Sequence, residues 1–84
     1  MSENGIPIVL EAMAQALEVP IERLSENSSM QNLPAWDSLG HLNILVALDK
    51  RFSGRVAKIS ELAKATSARE IAEILQRHGL LSSS

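Results

Sequence analysis

The chain has no cysteine among its 84 residues. Disulfides, thiolate zinc sites and a cysteine nucleophile are excluded, and any thiol chemistry must draw its sulfur from a cofactor. No apolar run approaches the ~20 residues of a membrane span. Met1-Ser2-Glu3-Asn4-Gly5 lacks the basic and apolar regions of a signal peptide. Together these absences lead to the expectation of a cytoplasmic protein. The net charge of −2 lacks the basic excess that nucleic-acid binders usually carry, which leaves a small helix-turn-helix DNA binder without a recognition face. Strand signal is scarce. Val56 to Ile59 is apolar and β-branched at its ends, but too short and isolated to build a sheet.

What remains is one small domain over residues 1–84, with a structured core over about 6–78 and a frayed tail over 80–84. A chain of this size buries roughly 60–65% of its unfolded surface, so its core is thin. At 45% hydrophobic and 21% charged residues it is globular rather than disordered.

Four apolar segments predict an all-α fold with three main helices and one short one. The first spans Pro7 to Glu18, with Pro7 in the first turn, where its missing N–H costs nothing. Leu10, Met13, Ala14 and Leu17 fall on one face. A long stretch from Val19 to Trp36 follows, with Ile21, Leu24, Met30, Leu33 and Trp36 as anchors of an ordered loop and a helical turn at Ile21 to Leu24. The second helix runs from Ser38 to about Phe52 and stops at Gly54, with Asp37 as its N-cap. His41, Ile44, Leu45, Leu48 and Phe52 face inward. Leu39, Leu42, Asn43, Val46 and Lys50 occupy the other side, too apolar for a simply solvated face. Asp49, Lys50 and Arg51 read as a solvated helix end. The short helix starts at Ser60. The last is signalled by the capping box Ser67-Ala68-Arg69-Glu70, by Ile71, Ile74 and Leu75, and by a stop at Gly79.

Ser38 is the residue that carries chemistry. A serine at a helix start is by default a cap or a solvated hydroxyl. Here Asp37 can cap, which frees Ser38, and the helix N-terminus favours an attached anion such as a phosphate. A hydrolase built from Asp37, Ser38 and His41 is disfavoured: no G-x-S-x-G elbow is present, and adjacent Asp and Ser cannot easily hold a histidine between them. His41 reads as a core-edge residue with a satisfied hydrogen bond. His78 suits the C-terminal end of the last helix, and two distant histidines make no metal site. Trp36 reads as a loop anchor.

At Asp37-Ser38-Leu39, followed by the helix Leu42 to Phe52, the chain resembles the acyl carrier and peptidyl carrier proteins. The order of segments over roughly residues 6 to 78 agrees. The resemblance implies a four-helix bundle and a 4′-phosphopantetheine on Ser38, flanked by Asp37 and Leu39. The group would come from coenzyme A through a phosphopantetheinyl transferase of the holo-carrier-synthase type. The chain would then be a monomeric carrier with no catalysis of its own, bringing acyl groups as thioesters to partner enzymes, with cargo from fatty-acid or polyketide biosynthesis. Aminoacyl or peptidyl cargo loaded by a ligase, and a cofactor-free helical interaction module, are the alternatives. Carriers of primary fatty-acid synthesis tend to be acidic along the modified-serine helix, whereas here Asp49 is the only acid between Ser38 and Phe52 and Gly40, Asn43 and Lys50 stand at positions expected to be exposed. Docking is therefore expected to use Leu39, Leu42, Asn43, Val46 and Glu61, in a specialised pathway. Ala65 is small where related carriers place a bulkier residue near the cargo.

Overall fold

The computed structural model describes residues 6–81. They form three α-helices, α1 (Ile6–Leu17), α2 (Ser38–Arg51) and α3 (Ala68–Arg77), with 3-10 turns at Ile21–Arg23 and Ser60–Lys64. Among the described residues there is no strand, only an isolated antiparallel bridge between Ser29 and Ser67. α1 packs against both α2 and α3, and the Ser60–Lys64 turn joins α2 to α3. The shortest dimension is 18 Å, room for about two layers of helices. The short fourth helix expected at Ser60 is a 3-10 turn. Its N-cap, Ile59, offers no side-chain hydrogen bond, and five residues are too few to offset the cost of nucleating an α-helix.

α1 is apolar nearly all round, so its sequence period fits more than one face. The buried residues are Val9, Ala12, Met13 and Leu17; Leu10 and Ala14, expected inside, are only partly covered. The helix ends with Glu18 in the left-handed region (φ 58°), and the Val19 N–H closes back on the Ala14 carbonyl at 3.2 Å. α3 ends in the same way: Gly79 has φ 75°, and the Leu80 N–H reaches the Leu75 carbonyl at 2.9 Å. This closure is a Schellman motif. It carries Leu80 and Leu81 onto the core rather than into a frayed tail: Leu80 is partly covered and Leu81 is buried. Ser82 to Ser84 and Met1 to Gly5 lie outside the described residues. α2 ends at Arg51 with Phe52 as its C-cap, as expected, and Ser53 (φ 57°) and Gly54 (φ 84°) follow it in the left-handed region.

The stretch between α1 and α2 is ordered by its own polar side chains. Ser28 Oγ accepts from the Ser25 N–H at 3.0 Å. Asn32 accepts from the Ser29 N–H at 2.9 Å and donates to the Asn27 carbonyl at 3.2 Å. The loop also completes α3. The first N–H groups of a helix have no partner within it. Here Ala68 N–H donates to the Ser28 carbonyl at 2.9 Å and Arg69 N–H to the Glu26 carbonyl at 3.1 Å. Glu70 N–H is taken by Ser67 Oγ at 3.1 Å. The returning bond of the capping box is shifted by one residue: Glu70 Oε1 accepts from the Thr66 N–H at 2.7 Å. Leu24 and Trp36 anchor the loop in the core, whereas Ile21, expected to do so, is 41% exposed.

Candidate functional site

Ser38 stands at the first helical position of α2, and its exposure follows from what its neighbours do. Asp37 is extended (φ −104°, ψ −165°), and its carboxylate accepts from the Gly40 N–H at 2.8 Å. Asp37 is thus the cap. Ser38 is exposed, and among the described residues its hydroxyl has no hydrogen-bond partner. Among the described residues the N–H groups of Ser38 and Leu39, at the same helix end, have no acceptor, an arrangement that favours negative charge.

Two features hold this corner in place. Gly40, expected to be exposed, is buried. A Cβ there would lie 2.5 Å from the Ala35 carbonyl oxygen and 2.8 Å from Leu17 Cδ2, so glycine is required for the loop and α1 to close on α2. The second feature is His41, on the buried side one turn on. Trp36 Nε1–H donates to His41 Nδ1 at 3.0 Å, and an indole N–H can only donate. Nδ1 is therefore the bare nitrogen. Nε2 carries the proton and donates it to the Leu62 carbonyl at 2.8 Å. The two rings lie 16° from parallel with centroids 5.9 Å apart. The same hydrogen bonds tie the loop end, α2 and the Ser60–Lys64 turn together. They also occupy both nitrogens of His41, which leaves it no lone pair with which to act as a base on Ser38. Among the described residues no group of three or more potential ligands could hold a metal ion.

The outer face of α2 is apolar and open. Leu39, Leu42 and Val46 are 66%, 55% and 46% exposed. Asn43 and Lys50 are exposed on the same side. Leu42 and Val46 border a groove of about 400 Å³ whose far wall includes Val56, Ile59 and Leu62. The groove keeps its shape through Asp49, which is not simply part of a solvated helix end. Its Oδ1 accepts from the Val56 and Ala57 N–H groups at 3.1 and 2.9 Å, folding the chain after α2 back along the helix. Arg51 is occupied too, paired with Glu11 at 2.9 Å.

Glu61 lies apart from Ser38 in its contacts. Its carboxylate takes His78 Nε2 at 2.8 Å and Arg77 Nη2 at 3.4 Å, clasping the Ser60–Lys64 turn to the end of α3. The hydrogen bond from His78, aided by the charges of Arg77 and His78 against a partial loss of hydration, lowers the Glu61 pKa. Both residues are exposed, and such pairs contribute little to stability. Ala65 is buried and borders a polar cleft with Glu61, Lys64 and Arg77 rather than the apolar groove.

The sequence placed Asp37, Ser38, Leu39, Leu42, Asn43 and Val46 on one helix, and the structure brings them onto one open surface. It missed Gly40 and Asp49. A glycine in the first turn of a helix sacrifices propensity, and that sacrifice was the available signal of close approach. No protein-family model, no curated protein and no solved structure matches the chain. Among the described residues no helix is long and apolar enough to cross a membrane.

Proposed function

We propose that the chain is a carrier protein that bears a 4′-phosphopantetheine arm on Ser38 and presents acyl groups to partner enzymes. The observation that supports this most is the Ser38 hydroxyl: exposed, without a hydrogen-bond partner, and relieved of capping by Asp37. The donor set fits such a group. A phosphodiester on Ser38 would lie beside the unsatisfied N–H groups of Ser38 and Leu39, at the end of the helix dipole that favours an anion. The arm, when bound, supplies the thiol that a cysteine-free chain lacks.

In this reading the remaining residues have mechanical tasks. Asp37 and Gly40 fix the turn that holds Ser38 clear of the core. Trp36 and His41 lock the loop behind it. Leu39, Leu42, Asn43 and Val46 offer a contact surface one to two turns from the attachment point. Attachment keeps the cargo at high local concentration for whichever enzyme is docked. The four-helix carrier architecture, with the Ser60–Lys64 turn as its short helix, belongs to the same proposal, as do a phosphopantetheinyl transferase and a loading ligase as partners and a cytoplasmic location.

The test is intact mass after co-expression with a broad-specificity phosphopantetheinyl transferase. The expected result is a gain of one phosphopantetheinyl group on the wild type and none on Ser38→Ala. No gain on a folded wild type, or an equal gain on Ser38→Ala, refutes the proposal. The open strip of Leu39, Leu42 and Val46 favours a second reading, a helical interaction module without an arm. That module would bind its partner equally well with Ser38→Ala.

A further inference from the structure

The segment from Ser38 to Lys64 holds five of the chain's eight Lys and Arg residues and only two of its ten Asp and Glu. Its charge is therefore opposite in sign to that of the chain as a whole. Both of its acids are engaged within the fold. Asp49 accepts from the Val56 and Ala57 N–H groups, and Glu61 is held by Arg77 and His78. Of the five cations, Arg51 is paired with Glu11. Lys50, Arg55, Lys58 and Lys64 are exposed, and among the described residues none pairs with an acid.

Three of these cations lie on the apolar groove or next to it in the chain. Lys50 lines it directly, together with Asp49, Leu42, Val46, Val56 and Ile59. Arg55 and Lys58 are chain neighbours of the lining residues Val56, Ala57 and Ile59, whereas Lys64 lines the separate cleft beside Glu61 and Arg77. The result is a concave apolar surface whose frame is positive on balance, with Lys50, Arg55 and Lys58 against the one carboxylate of Asp49, on a molecule that is otherwise acidic. Apolar walls alone would accept any hydrophobic segment. The cationic frame selects by sign, because like charge is repelled and opposite charge is steered in.

We infer that this groove docks an acidic amphipathic segment of a protein partner. Apolar side chains of that segment fill the space between α2 and the Val56–Leu62 stretch, and its carboxylates meet Lys50, Arg55 and Lys58. A flat anionic bilayer would also meet the cations but would not reach into a recessed groove. The inference goes beyond the Ser38 reading and does not depend on it, since none of these residues takes part in attaching the arm.

The experiment is an amide NMR titration of the full chain with two synthetic amphipathic helical peptides. One carries Leu on one face and Glu on the other, and the second carries Lys in place of Glu. The acidic peptide is expected to shift the signals of Leu42, Val46, Ala57 and Ala63 and to bind roughly tenfold more tightly than its Lys counterpart, as two or three exposed ion pairs would give. Its affinity should fall with added salt and drop on the order of tenfold in K50E/K58E. K50Q/K58Q, a milder pair at exposed positions, should lie between. Equal affinity for the two peptides overturns the inference, as do shifts centred elsewhere or indifference to the Lys substitutions in a folded protein. Binding to anionic phospholipid vesicles without binding to the acidic peptide overturns it in favour of a membrane surface. Ser38→Ala should bind the acidic peptide as the wild type does. Failure of arm attachment with peptide binding intact removes only the carrier proposal, and the reverse result removes only this one.

Discussion

Gly40→Ala sets two effects of known size against each other. Ala is favoured over Gly inside a helix by about 1 kcal/mol, so on an open helix face the change would stabilise. At this position the new Cβ would meet the Ala35 carbonyl oxygen at 2.5 Å, Leu17 Cδ2 at 2.8 Å and Asp37 Oδ1 at 3.3 Å. The leucine tip could rotate, at some cost, because Leu17 is part of the buried core. The carbonyl cannot retreat cheaply. It is backbone, and the next residue is fixed by the Trp36 N–H bond to the Leu33 carbonyl at 2.9 Å. Overpacking of this kind costs ~1–3 kcal/mol, and a backbone contact belongs at the upper end. Any shift that relieves it also loosens the Asp37 cap, which contributes about 1 kcal/mol.

Sterics therefore win, and the net loss should be about 2–3 kcal/mol. Urea unfolding followed by circular dichroism measures it. With a slope near 1 kcal/mol/M for a small domain, the midpoint should fall by about 2 M. Asn43→Ala, at an exposed position of the same helix, is the control, because there propensity acts alone and stability should rise by a few tenths of a kcal/mol. A Gly40→Ala midpoint equal to or above that of the wild type would refute the close approach and, with it, the explanation of how Ser38 is held outward.

Two further predictions concern the residues that brace the site. Trp36→Phe removes the donor to the buried His41 Nδ1 and leaves a small void, and should cost roughly 2–4 kcal/mol in the same urea assay; a loss within about 0.5 kcal/mol, the range of an ordinary surface change, would mean that the indole–imidazole bond does not hold the loop. Glu61 should titrate below the ordinary glutamate value near 4.5 because of its hydrogen bond from His78 and the charge of Arg77. Because the folded value is the lower one, its contribution to stability is present above the unfolded value and fades as the pH falls through the folded one. His78→Ala should raise the Glu61 midpoint in a carboxylate NMR titration, and an unchanged midpoint would show that the clasp does not form.

How far the sequence could lead depended on whether one signal or several pointed at a residue. The α2 N-terminus was legible because Asp37 brings capping chemistry and Pro34 and Trp36 mark the end of a loop, while the helix beyond is apolar on two sides. The α3 start was legible from Ser67 and Glu70. The inner face of α1 was not, because Ile8, Val9, Leu10, Ala12, Met13 and Ala14 offer apolar side chains in almost every direction. Tertiary packing chose Val9 and Ala12 over Leu10 and Ala14. The end of α2 near Phe52 was legible from Gly54, although Ser53 takes the left-handed conformation first.

Charge shows most plainly why composition runs out before structure does. A net charge of −2 says nothing about a positive surface, and even the bases counted between Ser38 and Lys64 do not define one. What a partner would meet is the charge left over after the fold has used its own. Asp49 is spent on two backbone N–H groups, Glu61 on α3 and Arg51 on α1. Each of these contacts joins residues from different parts of the chain, so no local pattern announces them. Asp49 keeps its charge, but Lys50, Arg55 and Lys58 outnumber it, so the apolar groove beside α2 has a frame that is cationic on balance. The sign of that frame is opposite to the acidic helix of the carriers that the Asp37-Ser38-Leu39 motif resembles. If Ser38 does bear an arm, the enzymes that dock here must then bring carboxylates where the partners of acidic carriers bring arginine and lysine. An arm on Ser38 would leave that frame unaltered, so on this proposal attachment and partner choice would be separable properties of one short helix.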